Sequence, residues 1–232
     1  MTDQLPQAER PRSLWQAILA RLAEVRDNIA ALFQRPDPVD SVAFSIAFIA
    51  LAAKLAKADG HVTSDEVSVF RRIFHIPPEE EANAARVYNL CRQDTAGFEA
   101  YAAQMARILG EGPRAEEVKA DVLDGLFHIA VADGEFHPGE EAFLREVHRI
   151  FGLPDRLFTE LLARHVPDAW NPWQVLGLEP GASRDEIRRA WRRKVRESHP
   201  DQMIARGLPE DMVQLANARV ADLNRAYEAL TR

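Results

Sequence analysis

The stretch IRRAWRRKVRESHPD, Ile187 to Asp201, decides how the C-terminal part of this chain is read. Ile187, Ala190, Trp191 and Val195 recur at helical spacing and give one apolar face, while arginines fill the opposite one. The pattern predicts a helix from about Ser183 to Ser198. Pro200 ends it, because proline fixes its own φ and biases the preceding His199 away from helical geometry. A last helix is expected from about Pro209 to the end, where Val213, Ala216, Val220, Leu223, Tyr227 and Leu230 alternate steps of three and four. Such a stripe demands one partner helix. The two helices should therefore form an antiparallel hairpin, with the corner His199-Pro200-Asp201 exposed at one end.

Working outward, PWQVLGL reads as a short helical turn before the hairpin and EPGAS as the turn that follows it. PDAWNP, Pro167 to Pro172, marks a boundary, and the charge balance changes across it. Residues 1–167 carry 18 Lys/Arg against 26 Asp/Glu, a net of −8, and residues 168–232 carry 11 against 10, a net of +1. The two parts therefore have different electrostatic roles.

Upstream of the boundary the pattern is wholly helical. AKADGHVTSDEVSVFRRIF (Ala56 to Phe74) and AVADGEFHPGEEAFLREVHRIF (Ala130 to Phe151) share A-x-A-D-G, an acidic residue six places after the glycine, and a closing Ile-Phe. This is an internal duplication of helix, turn and helix. Gly60 and Gly134 are expected to stop the first helix of each copy as left-handed caps, and Pro138 to start the next helix of the second. IPPEEEANAARVYNLCRQ and AGFEAYAAQMARILG supply two more helices between the copies, the second closed at Gly110. Near the N-terminus Leu14, Ile18, Leu22, Val25, Ile29 and Leu32 form the stripe of an amphipathic helix that starts at Ser13, and the two prolines of RPDP (35–38) end it. The expected fold is all-α, with an amphipathic helix over 1–36, a helical bundle with an internal pseudo-repeat over 38–166, and the hairpin domain over 168–232.

Composition limits the function classes. The apolar fraction of 47% supports proper cores, and the single cysteine, Cys91, allows neither a disulfide framework nor a cysteine-based zinc site within one chain. That usage suits a reducing cytosol. The longest uncharged run, SVAFSIAFIALAA, spans 13 residues between Asp40 and Lys54, well short of the ~20 a bilayer span requires. It reads as a buried helix, and no transmembrane segment or signal peptide is expected. No nucleophile with a base, phosphate loop or metal-ligand set is visible, so the chain is read as a non-enzyme. An acidic chain without an aromatic stacking surface beside its arginines is also read as having no nucleic-acid partner.

Three motifs in order, WQVLGLEPGAS, IRRAWRRKVRESHPD and LNRAYEAL, closely resemble the three helices of the J domain, the DnaJ-type co-chaperone module. The duplicated A-D-G segments resemble the TerB-like helical domain. That layout, together with HPDQMIARGLPEDM around the corner, is similar to DjlA-like bacterial co-chaperones, and the resemblances cover about residues 40 to 232. They imply a DnaK-type chaperone ATPase as partner, with an arginine of its nucleotide-binding domain meeting Asp201 and with stimulated ATP hydrolysis as the outcome. The basic helix, with Arg184, Arg188, Arg189, Arg192, Arg193, Lys194 and Arg196 against Asp185 and Glu186, carries +5 over thirteen residues and would steer an acidic surface toward the corner. The sequence departs from the family at Trp191, Lys194, Ser198 and Gln202, where a Tyr, an apolar residue, an aromatic or His, and a Lys are usual.

The acidic domain, through residues 1–167, is expected to supply a client, a targeting partner or homodimerisation. The alternative is a metal-responsive stress scaffold of the tellurite-resistance kind with an accessory J domain. Asp59, Glu66, Asp133 and Glu140 would share one divalent cation if the duplicated turns met across a pseudo-twofold axis. The favoured assignment gives these acids capping and turn roles, with no cofactor. DjlA-like relatives can carry an N-terminal membrane span, whereas here the first helix is read as packing on the acidic domain or on another copy, with peripheral membrane contact as the competing reading and a cytoplasmic location expected.

Overall fold

The computed structural model describes residues 14–23, 41–57, 76, 78–93, 97–206, 208 and 213–232. Among them the chain is all-α, with eleven α-helices, two short 3-10 turns and no strand. The first helix, α1 (Leu14–Ala23), buries Trp15, Ile18 and Leu22 against its neighbours, as its apolar spacing requires. The later part of the expected N-terminal helix lies outside the described residues.

The apolar run forms α2 (Ser41–Leu55), the central helix of the bundle, with Phe44, Phe48, Ile49 and Leu51 fully buried. Around it pack α1, α3 (Glu81–Gln93), α4 (Phe98–Leu109) and α5 (Pro113–Ala130). A helix apolar on every side is stable only when enclosed in this way. No helix among the described residues is long and apolar enough to cross a membrane. Gly110, at a φ of 74°, closes α4 where the sequence places the stop. Beyond α5 lie α6 (Pro138–Phe151) and α7 (Asp155–His165).

The second copy of the duplicated motif differs in one detail from its expected form. Val131, at a φ of −92°, caps α5 in right-handed geometry, and Gly134, at a φ of 93°, lies three residues further on inside the turn. The left-handed conformation is used to redirect the chain into α6 rather than to end α5. Pro138 opens α6 as expected, since its missing N–H falls where a helix has no internal partner for it. The first copy, apart from its opening residues, lies outside the described residues.

The C-terminal part begins with α8 (Pro172–Val175), capped by Asn171, whose side-chain oxygen accepts from the backbone N–H groups of Trp173 and Gln174. α9 (Arg184–Glu197) starts with a capping box in which Ser183 and Glu186 each satisfy the other's backbone N–H. It pairs with α11 (Val213–Thr231) to make the expected hairpin. Trp191 stacks on Tyr227 at 4.5 Å between ring centres and donates its indole N–H to Asn224, so its polar edge is satisfied where its ring is packed. Between them, where the sequence suggests only a loop, Pro200–Arg206 forms a short helix, α10. Pro200 is pre-set for a first helical position, and the carbonyl of His199 accepts from Gln202 and Met203.

Among the described residues two apolar clusters form the cores. Val175, Leu176, Ile187, Leu223 and Ala226 form the smaller one inside the hairpin domain, joined by Ala163 of α7. Met203, Leu208, Leu215 and Ala216 belong to the other, the core of the N-terminal bundle. The segment after the corner therefore packs onto the bundle as well as against α11 of the hairpin.

Candidate functional site

The corner follows directly from how α9 ends. Ser198 is buried and its hydroxyl donates to the Lys194 carbonyl at 2.7 Å, closing the last turn. His199 then leaves helical geometry and Pro200 opens α10. The backbone N–H of Asp201 donates to His199 Nδ1 at 3.2 Å, which fixes the imidazole against the corner. The Asp201 carboxylate lies 3.6 Å from the same nitrogen, beyond good hydrogen-bond distance, and its side chain is 84% exposed, against 59% for His199. This carboxylate faces solvent on a backbone that proline and a helical turn already hold.

Arg188, Arg189, Arg192, Arg193 and Arg196 are all exposed, on the face of α9 opposite Ile187 and Ala190. Among the described residues one acidic side chain, Glu197, comes within ion-pair distance of them, 4.0 Å from Arg193, with both groups well exposed. Such a pair contributes little, so the arginine face keeps most of its positive field. The corner and this face together offer one exposed acceptor beside five exposed cations.

Two other cations of the C-terminal part, Arg206 and Arg219, are used differently. Arg219 of α11 reaches α5, donating from Nε to Asp124 Oδ2 at 2.7 Å and from Nη1 to Asp121 Oδ1 at 2.5 Å. Arg206, the last residue of α10, places Nη2 3.1 Å from Asp121 Oδ2 and Nη1 3.5 Å from Glu117. Arg164 and His165 of α7 meet the other oxygen of Asp124, each at 2.7 Å. Burial alone would raise the Asp124 carboxyl, but Arg164, Arg219 and His165 outweigh it and hold the group well below the usual carboxylate range. Burial would likewise lower Arg219, yet Asp124 and Asp121 hold its guanidinium above its ordinary range.

Lys194 shows why the family's apolar residue is absent. Its ammonium sits 2.9 Å from Glu160 of α7, so the stem crosses to the bundle instead of covering the hairpin edge. Burial pulls this ammonium below its ordinary value, with Glu160 opposing. Arg156 completes the contact, donating to Glu160 at 2.8 Å and to the carbonyl of Gly177 at 3.1 Å. Periodicity does not reveal these partners, because each pair spans 34 residues or more along the chain, apart from Arg156 with Glu160 and Gly177.

Of the four acids of the cation hypothesis, Asp59 and Glu66 lie outside the described residues. Asp133 accepts from the backbone N–H of Glu135 at 3.0 Å, and the buried Glu140 accepts from that of His137 at 2.8 Å. Both are thus engaged in turn and capping contacts. Among the described residues no group of three or more His, Cys, Asp or Glu side chains is arranged to hold a metal ion.

The family model described as "Tellurite resistance protein TerB" matches residues 45–163, the bundle that receives Arg219. The chain belongs to the TerB family. Its C-terminal part, residues 171–232, matches the DnaJ domain and carries the corner and the arginine face. The TerB and J domains together align with proteins named "Co-chaperone protein DjlA". That of Photobacterium profundum is 25% identical over 222 residues, covering 82% of this chain and 77% of the relative. That of Coxiella burnetii is 24% identical over 224 residues, covering 88% and 82%. That of Escherichia coli K12 is 28% identical over 132 residues, and there the match spans about half of each protein, 47% and 49%. No solved structure matches the chain.

Proposed function

We propose that this protein is a J-domain co-chaperone that binds a DnaK-type chaperone through His199, Pro200, Asp201 and the arginine face of α9, and stimulates its ATPase. The observation that carries the reading is the Asp201 carboxylate, exposed and, among the described residues, without a short internal partner on a pre-ordered corner. A carboxylate presented in this way suits a bidentate arginine, and stiffness before binding lowers the ordering cost of association. Arg188, Arg189, Arg192, Arg193 and Arg196 would steer an acidic surface toward it, an attraction that weakens with salt. No bond is made or broken on this chain. Its effect is to favour one conformation of the ATPase by binding that conformation better. The name of the DjlA relatives supports the co-chaperone class.

The TerB domain would then supply a targeting, client or dimerisation contact through residues 1–167, at a cytoplasmic location or at a membrane surface. Single-turnover ATP hydrolysis by a DnaK-type chaperone tests the function. His199→Gln and Asp201→Asn should each remove the stimulation while circular dichroism reports unaltered helicity. Stimulation that persists in both variants would refute the reading.

A further inference from the structure

The segment that follows the corner meets another domain. α5 of the TerB domain carries Arg114, Glu117, Asp121 and Asp124 at steps of three, four and three, a single stripe along one face. Every member of the stripe touches the J domain, the first three just after the corner and Asp124 through Arg219 of α11. Arg114 donates to the carbonyls of Ala205 at 2.5 Å and Arg206 at 3.1 Å, the open end of α10. Glu117 and Asp121 take Arg206, and Asp121 and Asp124 take Arg219. Beneath the charges, Met203, Leu208, Leu215 and Ala216 are buried in the core of the TerB domain. Gly125 makes room for this seating: a Cβ there would stand 3.1 Å from Phe48 of α2 and 3.4 Å from Leu215. A seven-residue helix has no stability of its own, so α10 depends on its packing against α5 and against α11.

We infer that α5 of the TerB domain is a positioning dock for residues 200–216, so that the chaperone-recognition corner is ordered by the neighbouring domain and not by the J-domain hairpin alone. The inference rests on the chaperone-binding reading above. Docking presents the corner rather than hiding it, because Asp201 and the arginine face of α9 stay exposed while α10 is seated. Asp121 and Arg114 are therefore positioning residues. Asp121 is buried, so it acts on the chaperone only through the segment it holds.

The test uses the full chain with Asp121→Asn and, as the gentler change, the exposed Arg114→Gln. Hydrogen exchange is followed at the amides of 201–208 without chaperone, and ATPase stimulation is titrated with each variant. Faster exchange confined to this segment is expected, together with a rise of about tenfold in half-saturating concentration at unchanged maximal stimulation, as when only about a tenth of the molecules hold the competent corner. Exchange and half-saturation unaltered in both variants would overturn the dock. Tighter half-saturation would overturn it too, since the contact would then be restraining the corner. Should Asp121→Asn unfold, Arg114→Gln decides. Absence of stimulation by the unmodified chain would count against the proposed function alone, and the exchange data would still decide whether α5 orders the corner.

Discussion

Two sets of arginines on one small domain have opposite fates. Arg188, Arg189, Arg192, Arg193 and Arg196 stand in solvent, where Glu186 and Glu197 are weak, exposed neighbours, whereas Arg206 and Arg219 are largely buried against Asp121, Asp124 and Glu117. The contrast separates recognition from construction. A charge taken out of water must be matched inside the protein, so the buried set reports how the domains fit together. A charge left in water costs nothing to keep and is free to meet a partner.

The contrast can be broken most forcefully at Arg219. Arg219→Ala leaves Asp121 and Asp124 short of a buried partner and should lower stability by ~3–5 kcal/mol in denaturant titration. A loss below about 1 kcal/mol would mean the dock is looser than its distances suggest. Acid probes the same carboxylate. Because the folded Asp124 carboxyl lies below its unfolded value, its stabilisation is complete above the ordinary carboxylate pKa of about 4 and is lost as pH falls through the folded value. Asp222, pushed up by burial, works in the opposite sense. Thermal melts of the parent chain should therefore fall more steeply below pH 4 than those of the Asp124→Asn variant.

A smaller effect is expected at Gly125. Gly125→Ala adds a methyl against the fully buried Phe48, so overpacking of ~1–3 kcal/mol is partly offset by up to ~1 kcal/mol of better helix propensity. A lowered melting temperature is the expected result, and a raised one would show that Phe48 and Leu215 yield easily. Smallest in stability, yet informative in function, is the exposed set. Arg192→Gln with Arg193→Gln should change stability by less than ~0.5 kcal/mol while slowing chaperone association and flattening its salt dependence.

What was legible in the sequence is what local chemistry writes there. The start near Ser183, the stop before Pro200 and the alternating stripe from Val213 to Leu230 each act within a few residues, and the two hairpin helices stand where they were expected, whereas the short helix that Pro200 opens was not foreseen. The dock was not legible, because Arg219 and Asp121 are 98 residues apart and no period joins them. Three signals pointed toward it. Asp121 and Asp124 sit between Val118, Val122 and Leu126, where carboxylates need buried partners. Met203, Leu208 and Leu215 have no place in the hairpin stripe. Lys194 occupies a position where the J domain is usually apolar, and that substitution is answered by Glu160.

The central claim is that Asp201 is exposed to be met by another protein and contributes little to its own fold. Measuring melting temperature and chaperone ATP turnover on one preparation of Asp201→Asn separates the two roles. The account predicts a melting temperature equal to that of the parent chain with no acceleration of turnover. Turnover accelerated to the parent level would contradict it.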